Sequence, residues 1–348
     1  MRLLGGAGVR ATLGLGAGLA MAALAAPTEA APPMSYLGGW GSKAYPVVGL
    51  TWESLIISIV VCAIISLLVL WGALAKRTRS AFGPLGSEPV QRTPGGMKWI
   101  IWGVGLSIIP LVVTLVWTVA VLAAINQPKG AEPFTIEVTG NQWWWQVSYK
   151  DTDPSRDFVT ANEIHIPVGH PVRFQLKGGD VIHSFWVPAL AGKTDTIPGQ
   201  TNVTWLEADR AGRYRGQCTE YCGLQHAHMA IFVIADPPAV FAHWWQAQLA
   251  PAPAPATADT QQGQALFVTK CGACHTVNGT DAQGKVAPDL THLMSRATIA
   301  AGAAPNTPAG LAGWIANPQG VKPGTLMPTL YLSGSQLSQV QGYLETLK

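Results

Sequence analysis

Two long apolar runs, at about 50–72 and about 99–125, constrain this chain more than any other feature. Each exceeds the roughly 20 residues that cross a bilayer as a helix, the form in which a lone segment satisfies its own backbone in lipid. Between the runs lie Lys76, Arg77, Arg79, Arg92 and Lys98, against Glu88 alone. Basic loops stay on the cytoplasmic side, so both flanks, and everything after Ile125, are expected outside. Composition agrees: charged residues are 12% of the 348, about half the usual share of roughly 25%. Several of the 14 Trp lie near the ends of the apolar runs, where an interfacial belt places them. A net charge of +3 gives no case for nucleic-acid binding.

Residues 1–26 read as a secretory signal. Arg2 and Arg10 are basic, the stretch to Ala26 is small and apolar, and Ala23-Leu24-Ala25 forms an A-x-A-like cleavage site. An uncleaved membrane helix is the competing reading. The Gly- and Ala-rich, weakly hydrophobic character favours removal. The exported topology this implies matches the one set by the basic loop.

Beyond the hairpin, taken as 35–130, the pattern changes. Phe134-Thr135-Ile136-Glu137-Val138, Glu163-Ile164-His165-Ile166 and Val172-Arg173-Phe174-Gln175-Leu176 alternate, separated by Gly, Pro and Asp. Such runs predict short antiparallel strands in a sandwich or barrel over 131–237. Residues 251–260, PAPAPATADT, read as a semi-rigid spacer. A small helical domain is expected over 261–348.

The chemistry concentrates in two places. Residues 218–229 read CTEYCGLQHAHM, bringing Cys218, Cys222, His226, His228 and Met229 onto one short segment. Thiolate, imidazole and thioether together select copper over hard cations. Two Cys four apart on a loop can aim both sulfurs at one place, and two thiolates bridging two copper ions would spread charge over the pair. A second imidazole is expected from another loop, and His183, 35 residues before Cys218, sits at a strand end. A disulfide would leave His226 and Met229 unexplained, and zinc rarely recruits Met. The second place is Cys271-Gly272-Ala273-Cys274-His275, the C-x-x-C-H pattern of covalent c-type haem. Cys271 and Cys274 would form the thioethers and His275 the proximal iron bond.

The run C-x-E-x-x-C-G-x-x-H-x-x-M, with Asp180-Val181-Ile182-His183-Ser184-Phe185 upstream, resembles the binuclear copper A domain of cytochrome c oxidase subunit II. The resemblance covers about 35–236. It implies that His183, Cys218, Cys222, His226 and Met229 bind copper through side chains and Glu220 through its carbonyl. It also implies that the Glu220 carboxylate reaches a magnesium ion at the interface with the catalytic subunit. His228 is the local rival of His226, which the motif register favours. Gly140-Asn141-Gln142-Trp143-Trp144-Trp145 is similar to the family's aromatic strand, whose first Trp takes up electrons; that role would fall to Trp143, with sheet packing as the rival reading. Lys193–Gly199 also matches, leaving Asp195 either a subunit contact or a loop cap. The resemblance carries an acid at the cytoplasmic start of the second helix. None is assignable in Gly95-Gly96-Met97-Lys98-Trp99.

The C-terminal part resembles a class I cytochrome c. Gly263 and Phe267 precede the haem motif on a helix, and Tyr343 on a final helix at 337–347 would cross it. The resemblance implies that the Pro288 carbonyl orients His275 and that Met327, in Gly324-Thr325-Leu326-Met327-Pro328, is the second iron ligand. Met294, 19 residues after His275, is the rival. His165, His170 and His243 are expected to be structural or exposed, His292 a surface or loop histidine, and Cys62 a small helix residue.

The expected fold is therefore a multidomain membrane protein: a two-helix transmembrane hairpin, an all-β cupredoxin-like barrel and an all-α cytochrome c domain. The expected function is electron delivery from cytochrome c, or another donor, through haem c and copper A to a haem–copper subunit I, with subunit III beside it. Oxygen reduction and proton pumping would lie on the partner. The expected place is a bacterial plasma membrane, with both metal domains on its outer side. A nitric oxide reductase subunit, a quinol oxidase subunit and a membrane-anchored electron carrier without a catalytic partner are the alternatives. The intact copper ligand set argues against the quinol enzyme.

Overall fold

The computed structural model describes residues 34–75 and 95–348. The signal segment 1–26 and most of the basic loop, with Glu88, lie outside the described residues.

Helices α1 (Ala44–Leu74) and α2 (Gly96–Ile125) form the hairpin. At 1.5 Å per residue each is about 45 Å long, more than a hydrocarbon core of about 30 Å. Both present Leu, Ile, Val and Trp side chains outward, a surface that lipid or another apolar helix would cover. The helices begin earlier than the apolar runs. The added turns of α1, Ala44-Tyr45-Pro46, have little hydropathy signal, and Pro is tolerated in a first turn. Ala44 is buried there and Lys43 donates to Thr204 Oγ1 beneath the β-domain. The Trp40 amide donates to Ala189 O at 2.8 Å, and the Trp205 indole donates to Ile125 O at 3.0 Å. Both outer ends of the hairpin are thus tied to the domain that follows. Within the hairpin, Thr114 Oγ1 of α2 donates to Glu53 Oε1 of α1 at 2.8 Å, so the one carboxylate of α1 has a partner on α2.

The β-domain is a sandwich of two five-stranded sheets. One contains β1 (Thr135–Asn141), β2 (Trp144–Lys150), β3 (Phe158–Ala161), β5 (Val172–Gly178) and β8 (Asn202–Leu206), in the order β3-β2-β1-β5-β8. The other contains β4 (Glu163–Pro167), β6 (His183–Trp186), β7 (Thr194–Thr196), β9 (Gly212–Cys218) and β10 (Ala230–Asp236), in the order β4-β10-β9-β6-β7. Alternate residues point inward: Ile136, Val138, Val147, Phe174 and Leu176 from the first sheet meet Ile164, Ile166, Ile231 and Val233 from the second, all fully buried. The purely antiparallel expectation fails at two places, since β1–β5 and β4–β10 run parallel. Side-chain alternation is the same in both kinds of ladder, so the sequence pattern could not separate them.

A helix not anticipated from the sequence, α3 (Pro238–Gln248), closes the sandwich. Phe241, Trp245 and Gln248 fall on one face at helical spacing and are buried. Trp245 packs edge-on against Phe134, Tyr149 and Phe158, with centroids 5.0–5.3 Å apart. His165 stacks on Trp244 at 4.2 Å and bonds Asp236, a structural role, while His170 and His243 are exposed.

The C-terminal domain contains α4 (Ala258–Lys270), α5 (Pro308–Ala316), α6 (Pro318–Val321) and α7 (Gly334–Leu344). Helices α4 and α7 cross at Gly263, where a Cβ would lie 2.0 Å from Gln339 O, and Phe267 meets Tyr343 at 5.7 Å beside the crossing. The free spacer is shorter than the composition implies. Helix α4 starts within it at a Thr257 cap, and the Ala252 amide donates to Asn278 O at 3.0 Å. His292 lies in a turn, as the loop reading expects, but is buried rather than on the surface: its ring nitrogens bond Lys348 O at 2.8 Å and Ala250 O at 3.1 Å, fastening the chain terminus and the spacer. The domain rests on the β-sandwich, with the Ala297 amide donating to Glu163 Oε1 at 3.0 Å and Gly302 packed against Ala230 and Phe232.

Candidate functional site

Pairing of β6 with β9, with Phe185 opposite Cys218, brings His183 at the start of one strand to Cys218 at the end of the other. The loop from Cys218 returns to β10 at Ala230 and carries the remaining donors. Cys218 Sγ lies 3.9 Å from His183 Nδ1, 3.3 Å from Glu220 O and 3.7 Å from Cys222 Sγ. Cys222 Sγ in turn lies 3.6 Å from His226 Nδ1 and 3.9 Å from Met229 Sδ. A disulfide needs about 2.05 Å, so both thiols are free. The donor atoms of His183, Cys218 and Cys222 all lie within 4.8 Å of one another. His228 is turned to Gln225 Oε1 at 2.7 Å instead.

The two thiols titrate as a pair. The hydrogen bond from Cys222 pulls Cys218 down to about 3, and the same bond with burial pushes Cys222 up. A ready thiolate beside imidazole and thioether is a soft donor set. Two residues that motif reading left without a role shape it. Asp180 Oδ1 bonds His183 Nε2 at 2.8 Å, which turns Nδ1 toward the sulfurs, as outer carboxylates do for metal-bound histidines. Gly140 lets the ring in, since a Cβ there would lie 2.8 Å from His183 Cδ2. The acid three residues before His183 was the available signal for Asp180. Asp195 accepts from Ser184 Oγ at 2.7 Å and Lys193 at 3.1 Å, bracing the loop beside β6.

In the C-terminal domain, Cys271 caps α4, and Cys274 and His275 follow in the next turn. His275 Nδ1 donates to Pro288 O at 2.7 Å, which leaves Nε2 for iron. Burial lowers the His275 pKa and keeps the ring neutral, as a ligand must be. Gln319 Nε2 donates to Thr325 O at 2.8 Å and Met327 O at 3.0 Å, bracing the loop that carries Met327. Cys271, Cys274, His275 and Met327 line one cavity of about 370 Å³, with Phe267, Leu293 and Leu311 among its apolar walls. Met294 is absent from that lining; its amide bonds Leu347 O at 2.7 Å and it packs into the helical core. Trp143, Trp144 and Asn162 of the β-sandwich supply another wall. The Trp143 indole meanwhile donates to Cys222 O at 3.0 Å, as Gln142 Nε2 does at 2.7 Å.

Residues 134–236 match the family described as cytochrome C oxidase subunit II, periplasmic domain, and residues 260–348 match cytochrome c. Cytochrome c oxidase subunit 2 of Alkalihalophilus pseudofirmus is 34% identical over 308 residues, covering 85% of this chain and 87% of that one. The chain belongs to the cytochrome c oxidase subunit 2 family. A second relative, subunit 2 from Bacillus sp. strain PS3, is 32% identical over 272 residues, covering 72% of this chain and 74% of that one. Among solved structures, the periplasmic domain of subunit II of cytochrome oxidase (CoxB) of Bradyrhizobium japonicum is 35% identical, covering 34% of this chain and 95% of that chain, with a TM-score of 0.31.

The two matched domains imply copper A and haem c respectively. The residues present fit both: a buried two-thiol cluster with imidazole and thioether nearby for the first, and C-x-x-C-H on a largely apolar cavity that Met327 also lines for the second.

Proposed function

We propose that this chain is the electron-accepting subunit of a membrane-bound haem–copper cytochrome c oxidase. The observation that carries the reading is the double contact of Trp143, whose indole bonds the carbonyl of Cys222 while the residue lines the cavity of His275 and Met327. When bound, haem c and the copper pair supply one-electron carriers, so electrons from an external cytochrome c could reach a catalytic partner where oxygen is reduced.

The residues of this chain hold and orient. His183, Cys218, Cys222, His226 and Met229 offer copper-binding side chains and Glu220 its carbonyl, with Asp180 fixing the tautomer of His183. Cys271 and Cys274 anchor the haem covalently, and His275 and Met327 ligate its iron, a pair that suits a carrier of raised potential. The buried apolar walls, Phe267, Leu293 and Leu311 among them, would replace water around a bound haem and so reduce reorganisation on electron transfer. The Glu220 carboxylate is proposed to reach magnesium at the subunit interface, as the family resemblance implies.

The partner is a haem–copper subunit I, with subunit III alongside, in a bacterial plasma membrane. The domain division follows: hairpin at 35–130, copper domain at 131–237 with α3 as its lid, spacer within 251–260, haem domain at 261–348. No acid marks the cytoplasmic start of α2, so proton handling is assigned to the partner. Purifying the complex and measuring oxygen uptake with reduced cytochrome c tests the reading. Uptake supports it; nitric oxide turnover without oxygen uptake would replace it with a nitric oxide reductase.

A further inference from the structure

Lys322, in the wall of the cavity that His275 and Met327 line, is an unusual charged residue among those described. It is 2% exposed, and its Nζ reaches three main-chain carbonyls: Trp143 at 2.7 Å, His228 at 2.8 Å and Ala300 at 2.9 Å. An ammonium has three protons, and each has one acceptor. Two of the carbonyls belong to the copper domain and the third to the haem domain, so the side chain crosses the interface. Among the described residues no carboxylate pairs with it, and burial pushes its pKa down to about 7. A buried cation held only by carbonyls is costly to place, and a surface lysine would serve the haem domain's own fold equally well.

The position of Lys322 gives that cost a purpose. It opens the segment that runs through Gly324 to Met327. Gln225 Nε2 of the copper loop donates to Pro323 O at 2.7 Å, and Gly324 packs closely against Leu224 and Trp143. The segment that carries the expected iron ligand is therefore seated on the segment that carries the expected copper ligands. Of the contacts between the two domains, the lysine is the one that makes two charge-assisted bonds across the interface, with a third to its own domain.

We infer that Lys322 is an interdomain clasp, a positioning residue that holds the haem domain against the copper loop with the Met327 segment in register on Trp143. The tether keeps the domains near each other; the clasp selects one orientation. A consequence is that Trp143 is covered by this chain's own haem domain, so an external donor meets the haem domain and not the copper loop. The inference rests on the electron-accepting reading for its purpose but not for its geometry.

The test is hydrogen exchange on the purified complex, comparing the wild type with Lys322→Met. Amides at 297–302 and those of Gly324 and Thr325 should lose protection by at least about tenfold, while the haem and copper spectra stay unchanged. Lys322→Cys alkylated with 2-bromoethylamine, which returns an ammonium at nearly the original reach, should restore protection. Unchanged protection in Lys322→Met, or a loss that the alkylated variant does not restore, would overturn the clasp. If Lys322→Met does not accumulate, the comparison of Lys322→Cys before and after alkylation on the same preparation decides the matter alone. Haem-to-copper transfer, followed optically in the same samples, separates the two claims. Lost protection with slowed transfer supports both; lost protection with an unchanged rate keeps the clasp and overturns the route.

Discussion

The indole Nε1 of Trp143 donates to the carbonyl of Cys222 at 3.0 Å. The bond joins a residue that walls the haem cavity to the main chain of a copper-loop cysteine. Trp143→Phe keeps a ring in the wall and removes the bond. Its loss should cost about 0.5–1.5 kcal/mol of stability, slow haem-to-copper transfer and leave haem incorporation intact. Flash-induced or rapid-mixing optical kinetics measure this, and an unchanged rate would leave Trp143 a packing residue.

Cys218 stands at the centre of the donor cluster, with His183 Nδ1, Glu220 O and Cys222 Sγ all within 3.9 Å. Cys218→Ser should abolish or distort the mixed-valence copper signal in electron paramagnetic resonance while the c-type haem spectrum survives. A near-infrared copper band identical to wild type would show that the ligand assignment is wrong.

Met327 lines the haem cavity and Met294 does not. Met327→Ala should therefore remove the sulfur-to-iron charge-transfer band, and Met294→Ala should keep it at some cost in stability. The opposite pattern would exchange their roles.

The crossing of α4 and α7 leaves no room for a side chain at Gly263, where a Cβ would fall 2.0 Å from Gln339 O. Gly263→Ala should destabilise the haem domain by about 1–3 kcal/mol or more, because backbone at a helix crossing cannot move aside as a flexible side chain can. Denaturant titration followed at the haem band would detect this, and wild-type stability would contradict the close crossing.

Lys43 provides a pH signature. Burial beside Thr204 and Trp205 lowers its pKa from 10.5 to about 8 in the folded protein. Between those values the unfolded state binds more protons than the folded one, so stability rises with pH over about 8 to 10.5. The gain is at most about 3 kcal/mol. Lys43→Met should lack this rise, and the difference between the two melting curves at pH 8 and pH 10 in detergent isolates it. Parallel curves would mean that Lys43 is not buried as described.

The features legible in the sequence are those written locally. Twenty or more apolar residues in a row specify a membrane helix without further context, and Cys218 to Met229 bring most of a ligand set on twelve residues. The C-x-x-C-H run is equally self-contained. What escaped reading depends on distant partners. Helix α3 is short and aromatic, and its burial face has meaning only against Phe134 and Tyr149. The parallel pairing of β1 with β5 leaves no trace in side-chain alternation. His292 and Lys322 look like ordinary surface residues until Ala250, Lys348 and Trp143 arrive from 42 to 179 positions away. Asp180 lies between these cases: it is only three residues from His183, yet its role requires knowing which ring nitrogen faces the sulfurs.

Electrons are expected to enter at the haem and pass from there to the copper pair, an order that rapid mixing resolves. The purified, oxidised complex is mixed rapidly with reduced cytochrome c under anaerobic conditions, while the c-type haem of this chain and the near-infrared copper band are followed together. The account predicts that the haem at His275 is reduced first and that the copper band then bleaches at a rate independent of donor concentration. Bleaching of the copper band before the haem, or at a rate that rises with donor concentration, would contradict it.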